Sequence, residues 1–284
     1  MKLTSFEWNR TPRFGGARGD EVVDLTDRFD GVGTLRELIA ADLLDAAREA
    51  VATGPALARF DEVVLAPVIP DPGKIVLVGG NYREHRAEMA RHDPPAYPML
   101  FTRFPECQVG HRAPLVAPRA SQQFDYEGEI AVVIRRQGRN IARADALSHV
   151  AGYSAYNDAT VRDWQRHTSQ FTPGKNFDGT GAFGPWLLTA DEVADYRDFT
   201  LTTRLNGDVM QHASARDLIF DVEALIEYIS TFTTLRPGDV IVTGTCGGVG
   251  FARAPQVFLK PGDIVEVEVS GLGVLTNPVI AEGP

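Results

Sequence analysis

The stretch FDYEGEIAVVIRR, residues 124–136, constrains this chain more than any other segment. Its apolar run reads as a strand, and an extended strand puts residues two apart on one face. Asp125, Glu127, Glu129, Ala131 and Val133 are therefore expected along one side, which begins acidic and ends apolar. Two carboxylates about 6 to 7 Å apart, at an effective dielectric of about 20, repel by roughly 2 to 3 kcal/mol. Burial adds a desolvation cost. A hard divalent cation answers both costs: carboxylate oxygens suit Mg2+, Mn2+ or Ca2+, whereas zinc and copper recruit His or Cys. A strand edge defended by charge is the other reading of the same residues.

With 284 residues, 44% of them hydrophobic and 23% charged, the chain can bury a substantial core in one or two domains. A net charge of -10 argues against nucleic acid as a partner, because phosphate binding needs clustered Lys and Arg. The start MKLTSFEWNRTPRFGG lacks a signal-peptide core and no later run is apolar enough for a membrane span, so the cytoplasm is the expected compartment. Cys107 and Cys246 stand alone, without the spacing of a disulfide framework or a zinc knuckle.

The first segment reads as strand, turn, strand: KLTSFEW, a Gly-rich turn at Gly15, Gly16 and Gly19, then EVVDL. A helix over TLRELIAADLLDAAREAVA follows. The Pro-rich stretch at residues 66–74 marks a boundary between a small accessory domain, residues 1–68, and a main domain, residues 69–284. Beyond it, strands and turns dominate. Asn206-Gly207 suits a hairpin turn, DVEALIEYISTF an amphipathic helix, and Pro237-Gly238-Asp239 and Pro261-Gly262-Asp263 further turns. The expected core is a mixed, β-rich α+β assembly, not a doubly wound parallel sheet.

Several residues carry chemistry. Asp158 follows the apolar run GYSAY at a strand end, as a third oxygen ligand or as a helix cap. His85 and Glu88 lie three apart in GNYREHRAEM, which suits an imidazole that takes a proton and a carboxylate that orients it; a solvated surface pair is the alternative. Lys175 sits among glycines and aromatics in TPGKNFDGTGAFGPW, where an ammonium can face a cleft. Gly179, Gly181 and Gly184 fit a dinucleotide-binding pattern but lack its strand–helix context. The segment TGTCGGVG, residues 243–250, offers backbone amides and the Thr245 hydroxyl to an anion.

In this order, GNYREHRAEM, DYEGEIAVVI, YNDATVRDWQ, GKNFDGTGAFGPW, PGDVIVTGTCGGVG and PGDIVEVEVSGLG resemble the fumarylacetoacetate hydrolase family, in particular its shorter bacterial members. The resemblance implies a β-sandwich roll, usually a homodimer, with one Mg2+ or Mn2+ per subunit. It implies Glu127, Glu129 and Asp158 as metal ligands and His85 and Glu88 as the catalytic dyad. Gln165, Lys175 and Thr245 match the family's substrate contacts, and Tyr82 and Arg103 are further substrate-side candidates. Gly80, Arg103 and Cys246 depart from the usual pattern. The activity implied is metal-dependent hydrolysis of a carbon–carbon bond in a 2,4-dioxo acid such as an acylpyruvate. Decarboxylation, dehydration or isomerisation of a 2-oxo acid on the same site is the alternative, and a non-catalytic binding protein a third.

Overall fold

The computed structural model describes residues 1–89, 93 and 95–283, so the last residue of the expected main domain, Pro284, lies outside the described residues. A twelve-stranded mixed sheet forms one layer. At its centre, Val150–Asn157, Gly128–Ile134, Val240–Val242, Ile75–Gly79 and Met99–Thr102 follow one another as neighbours. The pairs are antiparallel except Val240–Val242 with Ile75–Gly79, which is parallel. A second sheet of five strands packs on one face, in the order Asp208–Ser214, Thr200–Leu205, Ile264–Val269, Gly273–Ala281 and Leu115–Ala117. The β-rich sandwich expected from the sequence is thus present.

Alternation along Gly128–Ile134 explains the two cores. Ile130, Val132 and Ile134 pack with Leu201, Val265, Val267 and Leu275 of the second sheet. Ala131 and Val133 face the other way, into a cluster with Leu35, Leu38, Ala47 and Val51 from the helices Leu35–Ala40 and Leu44–Thr53. With both faces covered, the strand reads as an unbroken apolar run. The helix Val222–Phe232 is capped by the Asp221 carboxylate, which accepts from the Ala224 N–H at 2.9 Å, and buries Val222, Leu225, Ile226 and Ile229.

Three local expectations are corrected. The acidic strand is interrupted: Phe124–Asp125 pairs with Thr160–Val161, and the long strand restarts at Gly128. Between them, side chains take over from the ladder, since the Glu127 N–H donates to Asn157 Oδ1 and the Gly128 N–H to Gln211 Oε1. Gly15 and Gly16 lie inside the strand Thr11–Arg18, not in a turn; a Cβ on Gly16 would strike Val51, so the small residue lets the helix settle on the sheet. The single predicted helix is two, because Asp42 adopts a φ of 56° between them.

The N-terminal segment also joins the main body. Its first strand, Lys2–Trp8, pairs with Gly181–Thr189 and extends the large sheet, and Leu3, Phe14 and Leu25 share a core with Leu77, Val133 and Tyr156. We expect both segments to unfold as one cooperative unit. Leu3→Ala should cost about 2 to 5 kcal/mol and move the whole urea transition, read by far-UV circular dichroism. Two transitions, with only the smaller one shifted, would mean that the first 68 residues fold separately.

Candidate active site

The central strands deliver the candidate residues to one edge of the large sheet. Gly128–Ile134 begins there and Val150–Asn157 ends beside it, with Gly128 opposite Asn157, so Glu127, Glu129 and Asp158 converge. The parallel strands Ile75–Gly79 and Val240–Val242 both point their C-terminal ends to the same edge. The first leads into the helix Arg83–Glu88 and the second into the glycine-rich loop. Asn81 ties the two exits together: its amide nitrogen donates to Thr243 O and Phe220 O, at 2.8 and 2.9 Å.

One oxygen from each of Glu127, Glu129 and Asp158 lies within 4.8 Å of the others, and all three side chains are buried. Cations balance part of this charge. Lys175 donates to Glu127 at 2.6 Å and to the Asp158 carboxylate, Arg162 pairs with Glu127 at 2.6 Å and Asp125 at 2.8 Å, and Arg103 pairs with Asp158 at 2.7 Å. Glu129 has no cationic partner among the described residues; its hydrogen bond comes from the Gly244 N–H at 2.7 Å. Burial, and then the neighbouring Asp158 and Glu127 carboxylates, push its carboxyl well above the usual range. Burial would raise Glu127 as well, but Arg162 and Lys175 override it and hold that carboxyl well below the usual range.

This donor set fits a hard divalent cation: oxygens only, closely spaced, with one carboxylate left uncompensated. Glu127, Glu129 and Asp158 would hold such an ion. Lys175 stands between two of the three, so its ammonium would have to share those oxygens with the ion.

The remaining candidates divide. His85, Glu127, Glu129, Gln165, Lys175 and Thr245 line one cleft of about 680 Å³, counting its open mouth, which is room for a small acid. His85 is nearly buried, its Nδ1 3.5 Å from Glu88 Oε2, an ion-pair distance too long for a firm hydrogen bond. The other Glu88 oxygen accepts from the Gly248 N–H at 2.7 Å, which fixes the carboxylate. Gln165 Oε1 accepts from Arg162 Nη1 at 3.2 Å, leaving its amide nitrogen without a partner among the described residues.

Two substrate-side expectations fail on geometry. Arg103 does not line the cleft; its side chain is fully buried and spent on Asp158, Ala159 O, Thr180 and Cys107. It is a positioning residue for Asp158. Tyr82 is buried at 1% exposure and faces a separate cavity with Arg83, Ala213 and Asp217. The glycine-rich loop is also reassigned: its amides serve the protein's own carboxylates, Gly244 to Glu129, Gly248 to Glu88 and Gly250 to Asp125. Gly248 has a φ of 98°, and a Cβ there would meet Met210 O at 2.1 Å. The Thr245 hydroxyl donates to Gly128 O at 2.9 Å and accepts from Gln211 at 2.8 Å. Arg162 and Gln211 had no sequence signal, because nothing in the spacing of a polar residue reports that it will be buried.

A carboxyl whose folded value is raised keeps a proton that the unfolded chain has released. Its contribution to stability therefore falls as pH rises from the usual carboxylate range toward the raised value. Metal-free protein should accordingly lose stability on this account above about pH 5. Glu129→Gln should flatten that decline in thermal unfolding, and Mn2+ should stabilise the native protein more than the variant. Parallel pH profiles for the two proteins would show that Glu129 is not the uncompensated charge.

Residues 74–280 match the family described as Fumarylacetoacetate (FAA) hydrolase C-terminal. The mitochondrial oxaloacetate tautomerase FAHD2A of Bos taurus is 43% identical over 240 residues, 84% of this chain and 76% of that protein. The fumarylacetoacetate hydrolase of psychrophilic Exiguobacterium antarcticum superposes with a TM-score of 0.87 at 36% identity, covering 99% of this chain and 100% of the other. Maleylpyruvate hydrolase of Sphingobium sp. SYK-6, solved with manganese(II) and pyruvate, superposes with a TM-score of 0.84 at 27% identity, covering both chains in full, 100% of each. No helix among the described residues is long and apolar enough to cross a membrane. On sequence, fold and the convergence of its motifs at one cleft, the chain belongs to the fumarylacetoacetate hydrolase family of enzymes.

Proposed function

We propose that this enzyme enolises a small 2-oxo acid, interconverting its keto and enol forms, with Mg2+ or Mn2+ held by Glu127, Glu129 and Asp158. The observation that carries the reading is the His85 imidazole, set in the wall of the same cleft as Glu127 and Glu129, with Glu88 behind it at 3.5 Å. Support comes from the bovine relative, named as an oxaloacetate tautomerase. The preference thereby moves from the hydrolysis expected from sequence to the isomerisation weighed beside it.

An ion bound by the triad supplies Lewis-acid polarisation of the 2-oxo group. His85 is the base that takes a proton from the carbon next to that group, the electron pair moving toward oxygen as the enol form develops. The same imidazole then returns the proton, to oxygen or to carbon. Glu88 orients the ring and offsets its charge while it is protonated. The free amide of Gln165 is a donor available to an oxygen that becomes negative, and Lys175 becomes a second one where an ion takes over its carboxylate partners. Thr245, locked by Gly128 and Gln211, shapes the wall.

Hydrolysis of a 2,4-dioxo acid is the second reading, favoured by the manganese- and pyruvate-bound maleylpyruvate hydrolase that shares the fold. There His85 would deprotonate a water that attacks the 4-carbonyl. Decay of the enol absorbance of oxaloacetate, run beside acid release from a panel of acylpyruvates, separates the two. Accelerated enol decay without acid release is expected; rapid acid release with no effect on oxaloacetate would restore the hydrolase. His85→Ala should lower turnover about 100-fold or more while Mn2+ affinity, read by electron paramagnetic resonance, stays near native. Full retained turnover would remove His85 from the base role.

The homodimer belongs to the same reading, supported by the family assignment, and two buried, unpaired cysteines suit a reducing compartment such as the cytoplasm. Light scattering should give about twice the 31.0 kDa chain mass, and a monomer mass would exclude the dimer.

A further inference from the structure

Three arginines line the cleft: Arg86, Arg162 and Arg166. Arg162 is committed to Asp125 and Glu127. Arg86 and Arg166 are not committed to any carboxylate among the described residues. Arg86 donates to the backbone carbonyl of Asp93 at 2.6 Å, and the Arg166 guanidinium lies 3.5 Å from the centre of the Phe251 ring. Each directly follows a residue placed to handle substrate, Arg86 after His85 and Arg166 after Gln165. Both are more exposed than the triad, so they stand on the outer part of the wall.

Charge counting gives these cations a purpose. In the buried cluster, four carboxylates (Asp125, Glu127, Glu129 and Asp158) meet three cations (Arg103, Arg162 and Lys175), one negative charge in excess. A divalent ion turns that into one positive charge, and Arg86 and Arg166 raise the surplus to three, of which the Glu88 carboxylate behind His85 offsets one. A 2-oxo monoacid brings one negative charge and a 2-oxo diacid brings two. Val78, Met89, Met99, Phe101 and Phe171 supply the apolar wall of the same cleft. They offer no partner to the hydroxyls of a sugar-derived acid, so the stretch between two charged ends should be carbon.

We infer that Arg86 and Arg166 form a second anion position in the cleft, which takes the distal carboxylate of a 2-oxo dicarboxylate and sets selectivity for diacids over monoacids. Planar guanidinium forks suit a carboxylate held in two contacts. The inference rests on the 2-oxo acid reading above, which puts the first carboxylate at the triad.

Calorimetric titration of the Mn2+-loaded protein with pyruvate and with oxaloacetate tests it. The native protein should bind oxaloacetate at least about tenfold more tightly than pyruvate, the size expected for a charge-assisted pair. Arg86→Met and Arg166→Met should each lower that oxaloacetate-to-pyruvate ratio by about three- to tenfold, and the Lys variants should keep part of it as point charges. Circular dichroism checks that each variant is folded. Pyruvate binding with no preference for oxaloacetate, or a native ratio retained in both Met variants, overturns the second anion position and leaves the 2-oxo acid reading standing. Failure of both acids to bind removes that reading, and this inference with it.

Discussion

A buried knot of opposite charges organises this protein. Asp125, Glu127, Glu129 and Asp158 lie at one edge of the sheet, and Arg103, Arg162 and Lys175 are threaded among them. Bringing so many ions out of water is costly unless each finds partners, and breaking a buried pair leaves an uncompensated charge worth several kcal/mol, about 3 to 5. The surrounding fold therefore has to hold every member at once. Sheet register sets the carboxylates, Arg103 anchors Asp158 from behind, and the loop after Val240–Val242 lends its N–H groups to Glu129, Glu88 and Asp125.

The knot is unequal by design of its partners. Glu127 is doubly paired and held ionised, while Glu129 has a backbone donor and carboxylate neighbours. Two acids one residue apart thus have opposite electrostatic environments, and the difference arises from what reaches them across the fold. That imbalance is what makes the position receptive to a divalent cation. Proton-handling groups sit separately, on the helix Arg83–Glu88, so ion binding and proton transfer are carried by different elements and meet only in the cleft.

The motifs made much of this legible. Period-two alternation and apolar runs gave the strands, Asn206-Gly207 and the two Pro-Gly-Asp turns are where they were expected, and Glu127, Glu129 and Asp158 do come together. Expectations failed where a residue's surroundings come from distant chain. Gly15 and Gly16 look like a turn until a helix is laid on them. Tyr82 sits in a family motif yet faces a separate cavity, and Arg103 is spent in the packed interior, since nearness in sequence does not set the direction of a side chain.

By itself the sequence determined the inventory: a β-rich chain, an acidic pair at the head of an apolar strand, a His and a Glu on one helical turn, and a lysine among glycines. Those follow from local periodicity and residue chemistry, which need no knowledge of distant neighbours. Only the tertiary structure decided the roles: that Arg162 shares Glu127 with Lys175, that Glu129 is left without a cation among the described residues, that loop amides clamp the protein's own acids, and that Arg86 and Arg166 line the cleft with no carboxylate partner among those residues. Electrostatic environment is a sum over groups brought close by folding, so it belongs to the folded chain and not to any segment of it.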